Sequence, residues 1–217
     1  MAVDFGRERA QMVAEQLAAR GIADEAVLDA IRRVPRHLFV ADPWRGRAYD
    51  DTPLPIGAEQ TISQPYIVGL MSEALELRGG ARVLEVGTGS GYQAAVLAEL
   101  GAEVVSLERL PELAARAESV LRDLGYGDRV TVHVTDGTRG WAAAAPYDAI
   151  VVTAAGPQIP RPLVEQLRPG GVLVLPIGDA DEQLLVRLRR GAGGLVEEYL
   201  GGCRFVKLVG SWGWEES

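Results

Sequence analysis

Val83-Leu84-Glu85-Val86-Gly87-Thr88-Gly89-Ser90-Gly91-Tyr92 decides how this chain is read: an apolar strand runs into three glycines, and helical periodicity resumes at once over 92–100. Glycines at a strand-to-helix turn let the backbone bend tightly and let a ligand approach the main chain. The start of the helix adds unpaired N–H groups. The spacing is G-x-G-x-G. It is not the dinucleotide fingerprint G-x-G-x-x-G, because Tyr92 stands where the last glycine would be. Nor has it the Lys-Ser/Thr of a P-loop, and Ser90, flanked directly by two glycines, lacks the spacing of a nucleophile elbow.

Toward the C-terminus, apolar strands at 82–86, 103–108, 130–134, 147–153 and 171–177 alternate with helical stretches at 92–100, 113–124 and 161–167. Near-continuous apolar strands in that alternation predict a parallel sheet covered on both faces. Two more β segments, 183–189 and 196–209, are joined by 191–194, which is too short for a parallel crossover and predicts an antiparallel hairpin. The expected fold is α/β, a doubly wound and mostly parallel seven-stranded sheet with antiparallel C-terminal strands and an N-terminal helical extension. Toward the N-terminus, two helical segments stop at Gly21 and Pro35, an irregular stretch follows over 41–62, and helical periodicity returns over 64–77. We expect one domain, 1–217, in which 1–78 supplies helices and a substrate loop and 79–217 the cofactor-binding core.

Composition narrows the class. The 217 residues are 47% hydrophobic and 24% charged, ordinary for a globular chain, and the net charge of −8 disfavours a phosphate backbone as partner. The basic run Arg187, Arg189 and Arg190 reads as a solvated strand end. One cysteine, Cys203, excludes an intrachain disulfide and a cysteine cluster for zinc, so no metal site is expected. No leader-type apolar segment opens the chain and no apolar run reaches the roughly 18 residues of a spanning helix. The expectation is a cytoplasmic protein with no membrane partner, and a monomer.

Glu108 closes the second strand of the core, about twenty residues beyond the glycines, where an acid in a doubly wound fold accepts from ribose hydroxyls. The plainer reading is a carboxylate at a sheet end. Asp136-Gly137 follows the third strand on the same edge and reads either as an adenine or ribose contact or as a common turn. Ser63, before Gln64-Pro65, reads either as an N-cap or as a hydrogen-bond donor in a site.

Taken together, Val34-Pro35-Arg36-His37-Leu38-Phe39-Val40, Leu54-Pro55-Ile56-Gly57, Gln60-Thr61-Ile62-Ser63-Gln64-Pro65-Tyr66, the glycine loop, and Asp148-Ala149-Ile150-Val151-Val152-Thr153-Ala154-Ala155 resemble the protein-L-isoaspartate O-methyltransferase family over nearly the whole chain. The resemblance implies a Rossmann-like methyltransferase that uses S-adenosyl-L-methionine and releases S-adenosyl-L-homocysteine. It implies methylation of the free α-carboxylate of L-isoaspartyl residues in damaged proteins and peptides, leading through a succinimide to repair. It places Ser63 in the active site with Thr61, Ile62 and Gln64 around the substrate. The cofactor is expected against Gly87, Thr88, Gly89, Ser90, Gly91 and Arg109, with Glu108 at the ribose and Asp136 and Gly137 near the adenine. Two departures stand out. Thr135-Asp136-Gly137-Thr138 replaces the usual Gly-Asp-Gly-Trp, and Phe205-Val206-Lys207-Leu208 carries lysine where proline is usual.

A carboxylate acceptor with a pKa near 4 is already ionised at neutral pH, so the reaction needs alignment and exclusion of water, not a general base. Neither His37 nor His133 lies in the Ser63 segment, consistent with that demand. The alternatives are methylation of aspartate in one dedicated peptide to form an aspartimide, a non-catalytic nucleotide-binding interaction protein, and a nicotinamide oxidoreductase.

Overall fold

Seven strands form one sheet in the order β5-β4-β3-β6-β7-β8-β9, in a computed structural model that describes residues 3–179 and 182–216. In chain order β3 is Arg82–Val86, β4 Glu103–Glu108, β5 Val130–Val134, β6 Tyr147–Val152, β7 Leu167–Gly178, β8 Gln183–Gly191 and β9 Gly194–Cys203. β3 to β7 pair in parallel, while β8 and β9 pair antiparallel, as the short 191–194 link requires. The order reverses between β3 and β6. In an open α/β sheet such a switch point leaves a crevice beyond the strand ends where ligands bind.

The helices that cover the sheet have clear local causes. In α2 (Glu25–Arg33) the Asp24 carboxylate caps the Ala26 and Val27 amides, and Val27, Leu28, Ala30 and Ile31 form the buried face. The first helix, α1 (Phe5–Met12), is capped by Asp4, runs on in irregular turns to Arg20 and ends at Gly21. α4 (Tyr92–Glu99) is apolar on nearly every face, since it lies between the sheet and α2, and is buried from Tyr92 to Ala98. α5 (Pro111–Asp123) buries only Leu113, Ala114, Ala117 and Leu121, a single stripe against β4 and β5.

Two segments depart from the sequence reading. The stretch expected to be irregular over 41–62 contains a hairpin, β1 (Leu54–Gly57) with β2 (Gln60–Ile62), closed through Gly57, Ala58 and Glu59 at positive φ. Its Leu54, Ile56 and Ile62 side chains are buried. The last segment does not remain a strand to 209. β9 ends at Cys203, and the chain then leaves the edge and crosses to the strand ends. There Ala155 donates its amide to Val206 O and accepts from the Leu208 amide, both at 2.8 Å. This crossing sets the tail of the chain over the switch point.

Candidate active site

Three glycines of the loop lie in the left-handed region, at φ 98° for Gly87, 53° for Gly89 and 88° for Gly91. A Cβ on Gly87 would overlap the Thr153 hydroxyl. That hydroxyl donates to Gly87 O at 2.6 Å, so β6 holds the loop closed against β3. Glu108 gathers the loop from the other side. Its carboxylate accepts from the Gly89 amide at 2.8 Å, the Arg109 amide at 2.9 Å and the Leu110 amide at 3.1 Å. A carboxylate with three backbone donors is fixed in place, and of its roughly four lone-pair sites one, on Oε2, is left for a hydroxyl donor.

Above these groups opens a cleft of about 760 Å³ including its mouth, within the range that takes a nucleoside-sized ligand. Thr61, Ile62, Ser63, Gly87, Thr88, Gly89, Ser90, Glu108, Arg109 and Gly137 all line it. Three of the expected residues lie off its wall. Gly91 is turned toward α5, where a Cβ would meet Ala117 and Leu121 at 3.3 Å, so its conformation serves helix packing. Gln64 is the first residue before α3 (Pro65–Ala74), and its carbonyl accepts the Val68 amide. The Asp136 carboxylate binds protein groups instead. It accepts from the Thr138 amide and hydroxyl at 3.0 and 2.6 Å and from the Ser211 amide at 2.9 Å, tying the tail to the core. Burial works against that charge, but these hydrogen bonds outweigh it and hold the carboxyl below its ordinary range.

The capping reading of Ser63 fails: the residue before α3 is Gln64, and no side chain caps that helix. The Ser63 hydroxyl has no hydrogen-bond partner among the described residues, while its carbonyl accepts from Arg36 Nη2 at 2.7 Å. Cleft residues that sequence reasoning missed are Thr153, Tyr92, Gln93 and the crossing segment 206–209. Only Lys207 had drawn notice, as a departure from the family pattern. It is the single lysine of the chain, and its ammonium lies 5.7 Å from the Trp214 ring centroid.

Two buried ionisable groups sit beneath the wall. Glu85, on β3, is fully buried; it accepts from the Ser106 hydroxyl, which lies 2.6 Å from the Thr88 hydroxyl. Burial, with the Glu108 charge adding to it and Ser106 opposing, pushes the Glu85 carboxyl up to about 8. Arg36 is likewise fully buried and stays cationic at neutral pH, although burial pushes it down to about 10. His133 stacks on Trp141 with ring centroids 4.1 Å apart, a packing role.

A doubly wound sheet, a glycine loop at its switch point, an acid fixed at the next strand end and a nucleoside-sized cleft define a nucleoside-binding protein of the Rossmann-like class. Residues 7–213 match the family model described as protein-L-isoaspartate(D-aspartate) O-methyltransferase. A protein-L-isoaspartate O-methyltransferase 1 of Syntrophobacter fumaroxidans is 56% identical over 98% of this chain and 99% of its own length. One from Methanoculleus marisnigri is 56% identical over 96% of this chain and 94% of its own. A solved protein-L-isoaspartate O-methyltransferase superposes with TM-score 0.85 at 30% identity, covering 94% of this chain and 67% of that one. The chain belongs to the protein-L-isoaspartate O-methyltransferase family.

Proposed function

We propose a division of labour among the cleft residues in the reaction of this family, S-adenosylmethionine-dependent methylation of the free α-carboxylate of L-isoaspartyl residues. The cofactor supplies an electrophilic methyl group on a sulfonium. Gly87, Thr88, Gly89 and Ser90 form the wall against which it lies, with Glu108 accepting from a ribose hydroxyl at its remaining Oε2 site. The left-handed turn at Gly87 packs the loop backbone against Thr153 and so fixes the shape of that wall. Ser63 donates its hydroxyl to the acceptor carboxylate and orients it, and Thr61 and Ile62 bound the same end of the cleft. The acceptor oxygen forms the new O–CH₃ bond as the C–S bond breaks, its electron pair leaving with sulfur. No proton moves, so no general base is needed.

The observation that carries the role of Ser63 is a cleft-lining residue whose hydroxyl has no partner among the described residues, on a backbone pinned through its own carbonyl. Residues 1–78 then act as the substrate wall and 79–217 as the cofactor core of one catalytic unit. We place the protein in the cytoplasm as a monomer acting on isoaspartyl proteins and peptides; among the described residues no helix is long and apolar enough to cross a membrane. The test is Ser63→Ala with an isoaspartyl peptide. The expected outcome is a fall in kcat of roughly 10- to 1000-fold with S-adenosylhomocysteine affinity preserved. Unchanged kcat would remove Ser63 from the mechanism.

A further inference from the structure

Arg36 is a cation buried to 0% exposure. It forms no ion pair among the described residues. Its guanidinium donates from Nε to Ala48 O and from Nη2 to Ser63 O, both at 2.7 Å, and its carbon lies 4.9 Å from the Tyr92 ring centroid. Among the described residues neither Nη1 nor the Tyr92 hydroxyl beside it makes a hydrogen bond of good geometry, and what the two groups share is an electrostatic contact between guanidinium and phenol. A buried charge left unpaired is costly, and two neutral carbonyls and a ring face offset only part of that cost. Two of the three groups it touches, Ser63 and Tyr92, are cleft wall. The charge therefore lies one residue-thickness behind the surface where an acceptor carboxylate would rest.

We propose that Arg36 is a specificity-determining residue, supplying from behind the wall the positive field by which the cleft prefers an anionic acceptor over a neutral isostere, while its fork positions Ser63. This rests on the assignment of Ser63 to the acceptor end of the cleft. Opposite unit charges about 7–12 Å apart at an effective dielectric near 20 favour binding by roughly ten- to fiftyfold. The same electrostatics separates binding from rate. Methyl transfer turns the acceptor from an anion into a neutral ester, so its charge shrinks toward the transition state. A nearby cation thus favours bound substrate at least as much as the transition state, so its removal raises KM without lowering kcat.

The experiment uses the full chain saturated with S-adenosylhomocysteine and two peptides of one sequence, carrying either isoaspartate or isoasparagine, whose α-carboxamide is the neutral isostere. Dissociation constants are measured by calorimetry for wild type, Arg36→Met and Arg36→Lys, with Tm measured alongside. The wild type is expected to prefer the carboxylate peptide by at least about tenfold, Arg36→Met to bring the ratio near one, and Arg36→Lys, which keeps the charge and loses the fork, to retain most of it. An unchanged ratio in Arg36→Met overturns the inference and leaves Arg36 as a structural pin. If Arg36→Met does not fold, Arg36→Gln, a neutral donor, replaces it under the same criterion. A wild type that binds both peptides equally also overturns the inference. A wild type that methylates no isoaspartyl peptide overturns the functional reading on which it rests.

Discussion

Glu85→Gln should flatten the pH dependence of stability. The carboxyl is fully buried, its Oε1 has no partner among the described residues, and its pKa stands near 8 against an ordinary 4.5. Between those two values the unfolded chain has released the Glu85 proton and the folded chain retains it. Unfolding is then accompanied by proton release, and stability falls with rising pH by about 1.4 kcal/mol per unit. The contribution is fully present below about pH 4.5, is lost as pH rises toward about 8, and is constant above that. Glutamine keeps the shape and a partner for Ser106 but does not titrate. Urea unfolding at about pH 5.5 and about pH 7.5 should therefore show wild type losing roughly 2–3 kcal/mol more than the variant over that interval. Every other titrating group is shared, so the difference of slopes isolates Glu85. Parallel pH profiles would refute the reasoning and mean that the carboxylate is ionised and matched in the fold.

Further outcomes follow from the same contacts. Gly87→Ala should abolish cofactor binding and cost roughly 2–4 kcal/mol, since the methyl group meets the Thr153 hydroxyl at φ 98°; calorimetry with S-adenosylhomocysteine and a urea titration check both parts. Asp136→Ala should release the tail from Ser211, lowering stability by roughly 1–3 kcal/mol and raising the rate of hydrogen exchange at the Ser211 amide. Lys207→Glu, at the cleft wall with no carboxylate partner among the described residues, should lower kcat/KM several-fold for peptides with acids beside the isoaspartate and raise it for basic ones. Equal effects on both peptide sets would show that its charge is not sensed.

The site was legible where chemistry leaves a pattern in one segment. Glycines at 87, 89 and 91 after an apolar strand, with Glu108 ending the next strand, marked the switch point, and the short 191–194 link marked the antiparallel edge. What escaped depends on contacts distant in sequence. Residues 204–209 carry the pattern of a strand, yet their backbone partner is Ala155 at a strand end, and β8 meets them only through the Gln183 side chain at Phe205. The β1–β2 hairpin has only four and three residues and two prolines nearby, too short a period to read. Asp136 has a sequence position like that of a ligand contact, and nothing in the sequence shows that its carboxylate also accepts from Ser211, 75 residues on. Arg36 stands beside a basic helix end where solvent is the usual destination, and only the Tyr92 face and the Ser63 carbonyl turn it inward.

The central claim is tested most directly by methyl transfer from labelled S-adenosylmethionine to two synthetic peptides that differ only in carrying isoaspartate or normal aspartate at one site. Ester formation on the isoaspartyl peptide alone is the predicted result. Methylation of the aspartyl peptide alone, or of neither peptide while the cofactor binds, would contradict it.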